Sequence, residues 1–124
     1  MAAILFVTGE TLIPRMLTVL LAHDGINAHH ARTADEAIRM LAEHADIGAV
    51  CADVVLAGET GIELYDRVRG ELQKPELPFF FVTALNVTSE LGRRLRRDMH
   101  CHHFQRPIDP DEMLPILREV LAHG

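Results

Sequence analysis

The sequence predicts an α/β fold, a parallel β-sheet with helices on both faces. Three observations predict it. Short continuous apolar runs at 3–7, 47–52 and 79–82 are too brief for helices and end in polar or turn residues, as strands buried on both faces do. Segments with apolar residues at helical spacing lie between them. The two kinds alternate about five times with no linker, repeat or low-complexity tract, which is the pattern of right-handed β-α-β crossovers.

Each element has its own signal. The first strand, 3–7, stops at Thr8-Gly9-Glu10. Leu12, Met16, Val19 and Leu20 then recur at helical spacing and are expected to face the core, up to His23-Asp24-Gly25, where glycine supplies a cap. The run 26–31 is a weaker strand, interrupted by Asn27, His29 and His30, and suits an edge. Thr33-Ala34-Asp35-Glu36 has the capping-box form, with Ala34, Ala37, Ile38, Leu41 and Ala42 on one face of the helix it starts.

The strand 47–52 leads to Asp53, and a helix over 61–72 carries the stripe Ile62, Tyr65, Val68 and Leu72. The strand 79–82 leads to Thr83-Ala84. The segment 88–97 has only Leu91 and Leu95 to bury, so a short, mobile helix is expected there. A last strand at 102–105 ends in Arg106-Pro107. Asp109-Pro110-Asp111-Glu112 starts the final helix, which continues through Met113, Leu114, Ile116, Leu117, Val120 and Leu121. Pro115 removes one of its backbone hydrogen bonds and is expected to kink it.

Length and composition narrow the function. At 124 residues the chain is expected to form one domain, residues 1–124, large enough for a core without disulfides or structural metal. Its apolar fraction is 48%, too high for disorder, and its formal net charge is −6. An acidic balance argues against general affinity for nucleic acid or anionic membranes. Cys51 and Cys101 form no CxxC pair and suit a reducing compartment. No stretch approaches a membrane span and no basic leader precedes the first apolar run, so a cytoplasmic location is expected.

In an open parallel sheet, ligands bind beyond the carboxyl ends of the strands. Thr8-Gly9-Glu10, Asp53, Thr83-Ala84 and Arg106-Pro107 all stand at such ends. A carboxylate, a hydroxyl and a guanidinium are therefore expected at one sheet edge.

Four blocks in order carry a resemblance: Ile-Leu-Phe-Val at 4–7, Ala-Asp-Val-Val-Leu-Ala-Gly-Glu-Thr-Gly at 52–61, Phe-Val-Thr-Ala at 81–84 and Arg-Pro-Ile-Asp-Pro-Asp-Glu at 106–112. From Ile4 to the last helix the chain resembles the receiver domain of bacterial two-component response regulators. The resemblance implies a flavodoxin-like three-layer sandwich with a five-stranded sheet in the order 2-1-3-4-5. It implies Asp53 as phosphoacceptor, Thr83 as the switch hydroxyl and the Ala84 backbone N–H as a donor to the phosphoryl group. Arg106 occupies the position of the family's lysine, and His103 that of its switch aromatic. A Mg²⁺ ion would fall to Glu10, Asp53 and the backbone carbonyl of Val55. The implied partner is a sensor histidine kinase or phosphotransfer protein, with a homodimer through the fourth helix, fifth strand and fifth helix as a further option. No enzymatic activity is implied beyond self-phosphorylation of Asp53 from a phosphodonor.

The chemistry explains these residue types. When an aspartate attacks a phosphohistidine two anions meet, so cations must neutralise the phosphoryl oxygens in the transition state. Here the family's acidic pair is replaced by Thr8-Gly9, with only Glu10 nearby, and its lysine by Arg106. Arg is not a substitute for Lys, because its planar fork favours paired carboxylates. Arg106 is therefore expected to pair directly with Asp53 in the resting protein. Ala57 in place of the family's proline, and Glu59-Thr60 before Gly61, are smaller departures.

Two other readings stand beside the receiver. A flavodoxin-like protein binding nucleotide or flavin needs a phosphate cradle, and Thr8-Gly9-Glu10-Thr11 has one glycine and no lysine. A scaffold or dimerisation module independent of phosphorylation stays open beside a receiver with weakened phosphorylation. His100-Cys101-His102-His103 and His29-His30 do not read as metal sites, since strand alternation sends neighbours to opposite sides. Arg93, Arg94, Arg96 and Arg97 read as a solvated helix face that could also meet an acidic partner.

Overall fold

A computed structural model describes residues 2–84 and 88–122. Five β-α units follow one another: β1 (Ala3–Val7), α1 (Leu12–Ala22), β2 (Asn27–Ala31), α2 (Ala34–Glu43), β3 (Ile47–Asp53), α3 (Gly61–Gly70), β4 (Phe79–Thr83), α4 (Ser89–Arg97), β5 (Cys101–Gln105) and α5 (Pro110–Ala122). The strands form one parallel sheet in the order β2-β1-β3-β4-β5. Three layers result, because alternate residues of each strand face opposite ways. Leu5, Val7, Val50, Ala52, Phe79 and Phe81 pack against α2, α3 and Leu91 of α4. Ile4, Phe6, Ala49, Cys51, Phe80 and Val82 pack against α1 and α5.

The most deeply buried strands are those with unbroken apolar runs, and the mixed run forms the edge strand β2. It starts one residue later than expected, at Asn27. Strands β3 and β4 extend one residue further, to take in Asp53 and Thr83. Strand β5 begins one residue earlier, at Cys101, and α3 stops at Gly70, so that Leu72 packs on the core from outside the helix. Thr33, Thr60 and Thr88 each accept a backbone N–H three residues on, starting α2, α3 and α4. Gly25 takes a φ of +73° just past α1, where an L side chain would be strained.

One stripe is corrected. Helix α1 buries Pro14, Leu17 and Leu21, while Leu12 is 73% and Val19 61% exposed, with Met16 also exposed. The helix is apolar on two faces, so spacing alone could not choose between them. Pro14 sits in the first turn, where its missing N–H has no intrahelical partner to lose. In α2, Ala42 is likewise exposed, although Ala34, Ala37 and Leu41 are buried as expected. Helix α5 runs through Pro115, with Met113, Leu114, Leu117 and Leu121 buried and Ile116 exposed. Among the described residues no helix is long and apolar enough to cross a membrane.

Candidate functional site

The carboxyl ends of β1, β3 and β4 lie side by side, and β5 delivers Arg106 to the same edge. Asp53 closes β3 opposite Val82 of β4. Thr8 follows β1 directly and is held by its N–H to the Ala31 carbonyl at 3.0 Å. Arg106 is held by its N–H to the Thr83 carbonyl at 2.8 Å, and its bond to Pro107 is cis.

Both carboxylate oxygens of Asp53 are engaged. The Thr8 hydroxyl donates to Oδ2, and the Arg106 guanidinium donates to Oδ1 at 2.7 Å. The other arm of Arg106 donates to Glu10 Oε2 at 3.1 Å. The Thr8 hydroxyl in turn accepts the Glu10 N–H at 3.1 Å, so one short loop positions both ends of the cluster. The Asp53 side chain is only 14% exposed, which strengthens its attraction to the cation. Burial works against the charge of Arg106, but Glu10 and Asp53 outweigh it and hold the guanidinium's pKa above its ordinary value. Behind the cluster, burial first and the Asp53 carboxylate second push the Cys51 thiol up to about 12. The hollow among Phe6, Thr8, Glu10, Ile13, Asp53 and Arg106 has a volume of about 20 Å³. That is room on the order of one water; an open groove of about 420 Å³ lined by Glu10, Ile13, Arg106, Pro107 and Ile108 lies beside it.

Asp53, Arg106 and Glu10 therefore meet, and the expected Arg106–Asp53 pair is present. Thr83 reaches the same sheet edge, but its buried hydroxyl donates to the Phe104 carbonyl at 3.4 Å, toward β5. Among the described residues no hydrogen bond joins it to Asp53. Ala84 follows in an exposed bend, and residues 85–87 lie outside the described part of the chain. His103 is exposed on β5 opposite Phe81, and Val55 is exposed in the loop after β3. Thr8 is the residue that sequence reasoning undervalued: it appeared only as a missing acid, yet it supplies the hydroxyl bonded to Asp53.

Residues 4–118 match the family model of the response regulator receiver domain. The chain belongs to that family. A curated relative, "Probable transcriptional regulator ycf29" of Pyropia yezoensis, is 24% identical over 96% of this chain and 53% of its own length. This receiver spans about half the length of the curated relatives it matches. Among solved structures, the chemotaxis protein CheY4 of Vibrio cholerae superposes with a TM-score of 0.81 at 22% identity, covering 97% of this chain and 98% of that one. A two-component response regulator from Clostridium difficile gives 0.83 at 17% identity, covering 98% and 97%. At such identities the likeness shows the fold. This receiver is thus a flavodoxin-like module of two-component signalling.

Receiver domains generally hold Mg²⁺ at this edge, and Thr8 and Gly9 here stand where the family has an acidic pair. Mg²⁺ demands an octahedron of oxygens with carboxylates among them. Thr8 offers a neutral hydroxyl, Gly9 offers no side chain, and the carboxylates of Asp53 and Glu10 are both bonded to Arg106.

Proposed function

We propose that this receiver signals by protein–protein contact from a site whose charge is balanced by Arg106 instead of by a metal ion and a phosphoryl group. One observation carries the reading: both oxygens of Asp53 already have partners, Thr8 on Oδ2 and on Oδ1 the guanidinium of Arg106, a cation that is covalently part of the chain. For Asp53 to attack phosphorus it must leave Thr8 and Arg106. Arg106 is itself divided between two carboxylates, which leaves less of its charge for incoming phosphoryl oxygens. Phosphorylation at Asp53, with Thr83 as switch hydroxyl, Ala84 as backbone donor and His103 as switch residue, is accordingly suppressed.

The partner on this reading is a sensor histidine kinase or a phosphotransfer protein, met through surfaces and not through chemistry. The face formed by α4, β5 and α5 suits such contact. Arg93, Arg96 and Arg97 on α4 are exposed and make no ion pair among the described residues, and His102, His103 and Ile116 are exposed around a hollow they share with Leu95 of α4. The test is incubation with acetyl phosphate and Mg²⁺, followed by intact-mass measurement of the wild type and Asp53→Asn. The expected result is no phosphoryl adduct on either. An adduct on the wild type that Asp53→Asn abolishes would overturn the proposal and restore a phosphorylated receiver.

A further inference from the structure

At the opposite end of the sheet, three ligand-type side chains converge that the Asp53 site does not use. His29 lies on the edge strand β2, His44 caps the end of α2, and Asp46 sits in the turn before β3. One donor atom from each lies within 4.8 Å of the other two. Asp46 is next to Ile47, the first residue of β3, and Asp53 is the last, so the two clusters are roughly 20 Å apart along the strand. The His29-His30 run alone gave no sign of this, because the other two donors arrive only once α2 has folded back.

The cluster has features that a chance meeting of polar residues lacks. The His29 Nε2 is buried and has no hydrogen-bond partner among the described residues. Such an orphan is uncommon in folded proteins and calls for a partner that a protein atom does not supply. The His29 and His44 rings stack with centroids 4.4 Å apart and planes inclined by 25°, so one ring turns out of the stack to bring both nitrogens onto one ion. Each donor is carried on anchored backbone. The pairing of Leu5 with His29 fixes β2, the His44 N–H donates to the Met40 carbonyl at 2.8 Å, and the Asp46 carbonyl accepts the Ala3 N–H at 2.8 Å.

We propose that His29, His44 and Asp46 form a binding site for a transition-metal dication, Zn²⁺ in the first instance. Two imidazoles and one carboxylate are ligands of the borderline type that Zn²⁺ takes, and hard ions such as Mg²⁺ prefer oxygen throughout. With bonds of about 2.0–2.1 Å, tetrahedral donors stand roughly 3.3–3.5 Å apart. From a widest separation of 4.8 Å the donors must close by up to roughly 1.5 Å, a movement that the exposed Asp46 and half-buried His44 side chains can supply by rotation. Three protein ligands leave the fourth position to water. Bound metal would clamp the edge strand to the end of α2.

The experiment uses the full chain, stripped of metal by chelation, and Co²⁺ as a visible probe followed by Zn²⁺ calorimetry. One equivalent of Co²⁺ is expected to give the absorption of a four- or five-coordinate ion, which Zn²⁺ then abolishes. His44→Gln and Asp46→Asn, at a half-buried and an exposed position, are expected to weaken Zn²⁺ at least about tenfold, since loss of a mere supporting partner already costs that much. His102→Ala with His103→Ala is expected to leave binding unchanged. Absence of stoichiometric binding, or binding insensitive to both His44→Gln and Asp46→Asn, would overturn the site, as would loss of binding in the His102/His103 variant. None of these readouts depends on phosphorylation of Asp53.

Discussion

Gly61 stands so close to Asp53 that a methyl group on its Cα would lie 2.2 Å from the Asp53 carbonyl oxygen. Its own N–H donates to the Val54 carbonyl at 2.8 Å, so the start of α3 is pressed against the residue that ends β3. Gly61→Ala must therefore push helix and strand apart. A loss of about 1–3 kcal/mol is expected, the usual range for overpacking, measurable by urea denaturation. Thr60→Ala, which removes only the α3 cap, is expected to cost about 1 kcal/mol and to leave the Asp53 cluster in place.

Removing one partner of the central pair leaves the other charge short of compensation. Arg106→Ala strands a mostly buried Asp53 carboxylate and releases Glu10. The expected cost is about 1–3 kcal/mol, discounted toward the lower end because Arg106 itself is partly exposed. Asp53→Asn in the same background should recover part of that loss, and a double-mutant cycle reads the coupling directly.

The route back to a phosphorylated receiver is short. An added Cβ at Gly9 would meet nothing within 4 Å, so an aspartate fits there without strain from neighbours. The combination Thr8→Asp, Gly9→Asp and Arg106→Lys supplies the missing acids and replaces the fork by a point charge. This variant is expected to gain one phosphoryl group from acetyl phosphate in a Mg²⁺-dependent manner, seen by intact mass, and to lose that gain on Asp53→Asn.

Tyr65 and Asp98 give the fold two opposite pH limits. Burial, then the hydrogen bond to Asp98, push the Tyr65 phenol up to about 12, so folding favours its protonated form. Stability from this group is complete below the unfolded value of roughly 10 and is lost as pH rises from there toward about 12. Burial disfavours the Asp98 anion, but hydrogen bonds from Tyr65, the His100 N–H and Arg69 outweigh it and hold its pKa below the ordinary value. Its contribution is present above the unfolded pKa and is lost as pH falls through the folded one. Denaturation midpoints against pH should lose part of their alkaline limb in Tyr65→Phe, the rest belonging to Cys51 and Cys101, and part of their acid limb in Asp98→Asn.

Both thiols should be unreactive while the protein is folded. Burial, helped by Asp53 for Cys51 and by Asp98 for Cys101, pushes each up to about 12, which leaves almost no thiolate near neutral pH. Iodoacetamide is expected to modify neither in native protein and both in urea.

The sheet was legible because burial on two faces leaves a mark no helix mimics: an apolar run broken at Thr8, at Asp53 and at Thr83. Asp53 and Arg106 could be placed together because strand ends in this topology share one edge. Rotamers were not legible. Nothing in the sequence says that the Thr8 hydroxyl reaches Asp53 or that the Thr83 hydroxyl turns to the Phe104 carbonyl. Leu12, Met16 and Val19 misled because α1 has a second apolar stripe, and spacing ranks neither. His29, His44 and Asp46 escaped because their proximity depends on how β2, α2 and the following turn close on one another.

Arg106 also changes what sort of variable the site responds to. A counter-ion tethered to the backbone has an effective concentration set by chain geometry. Dialysis or a chelator cannot strip it away. On the proposal made above, the balance beside Asp53 is inherited with the gene product rather than drawn from the surrounding medium.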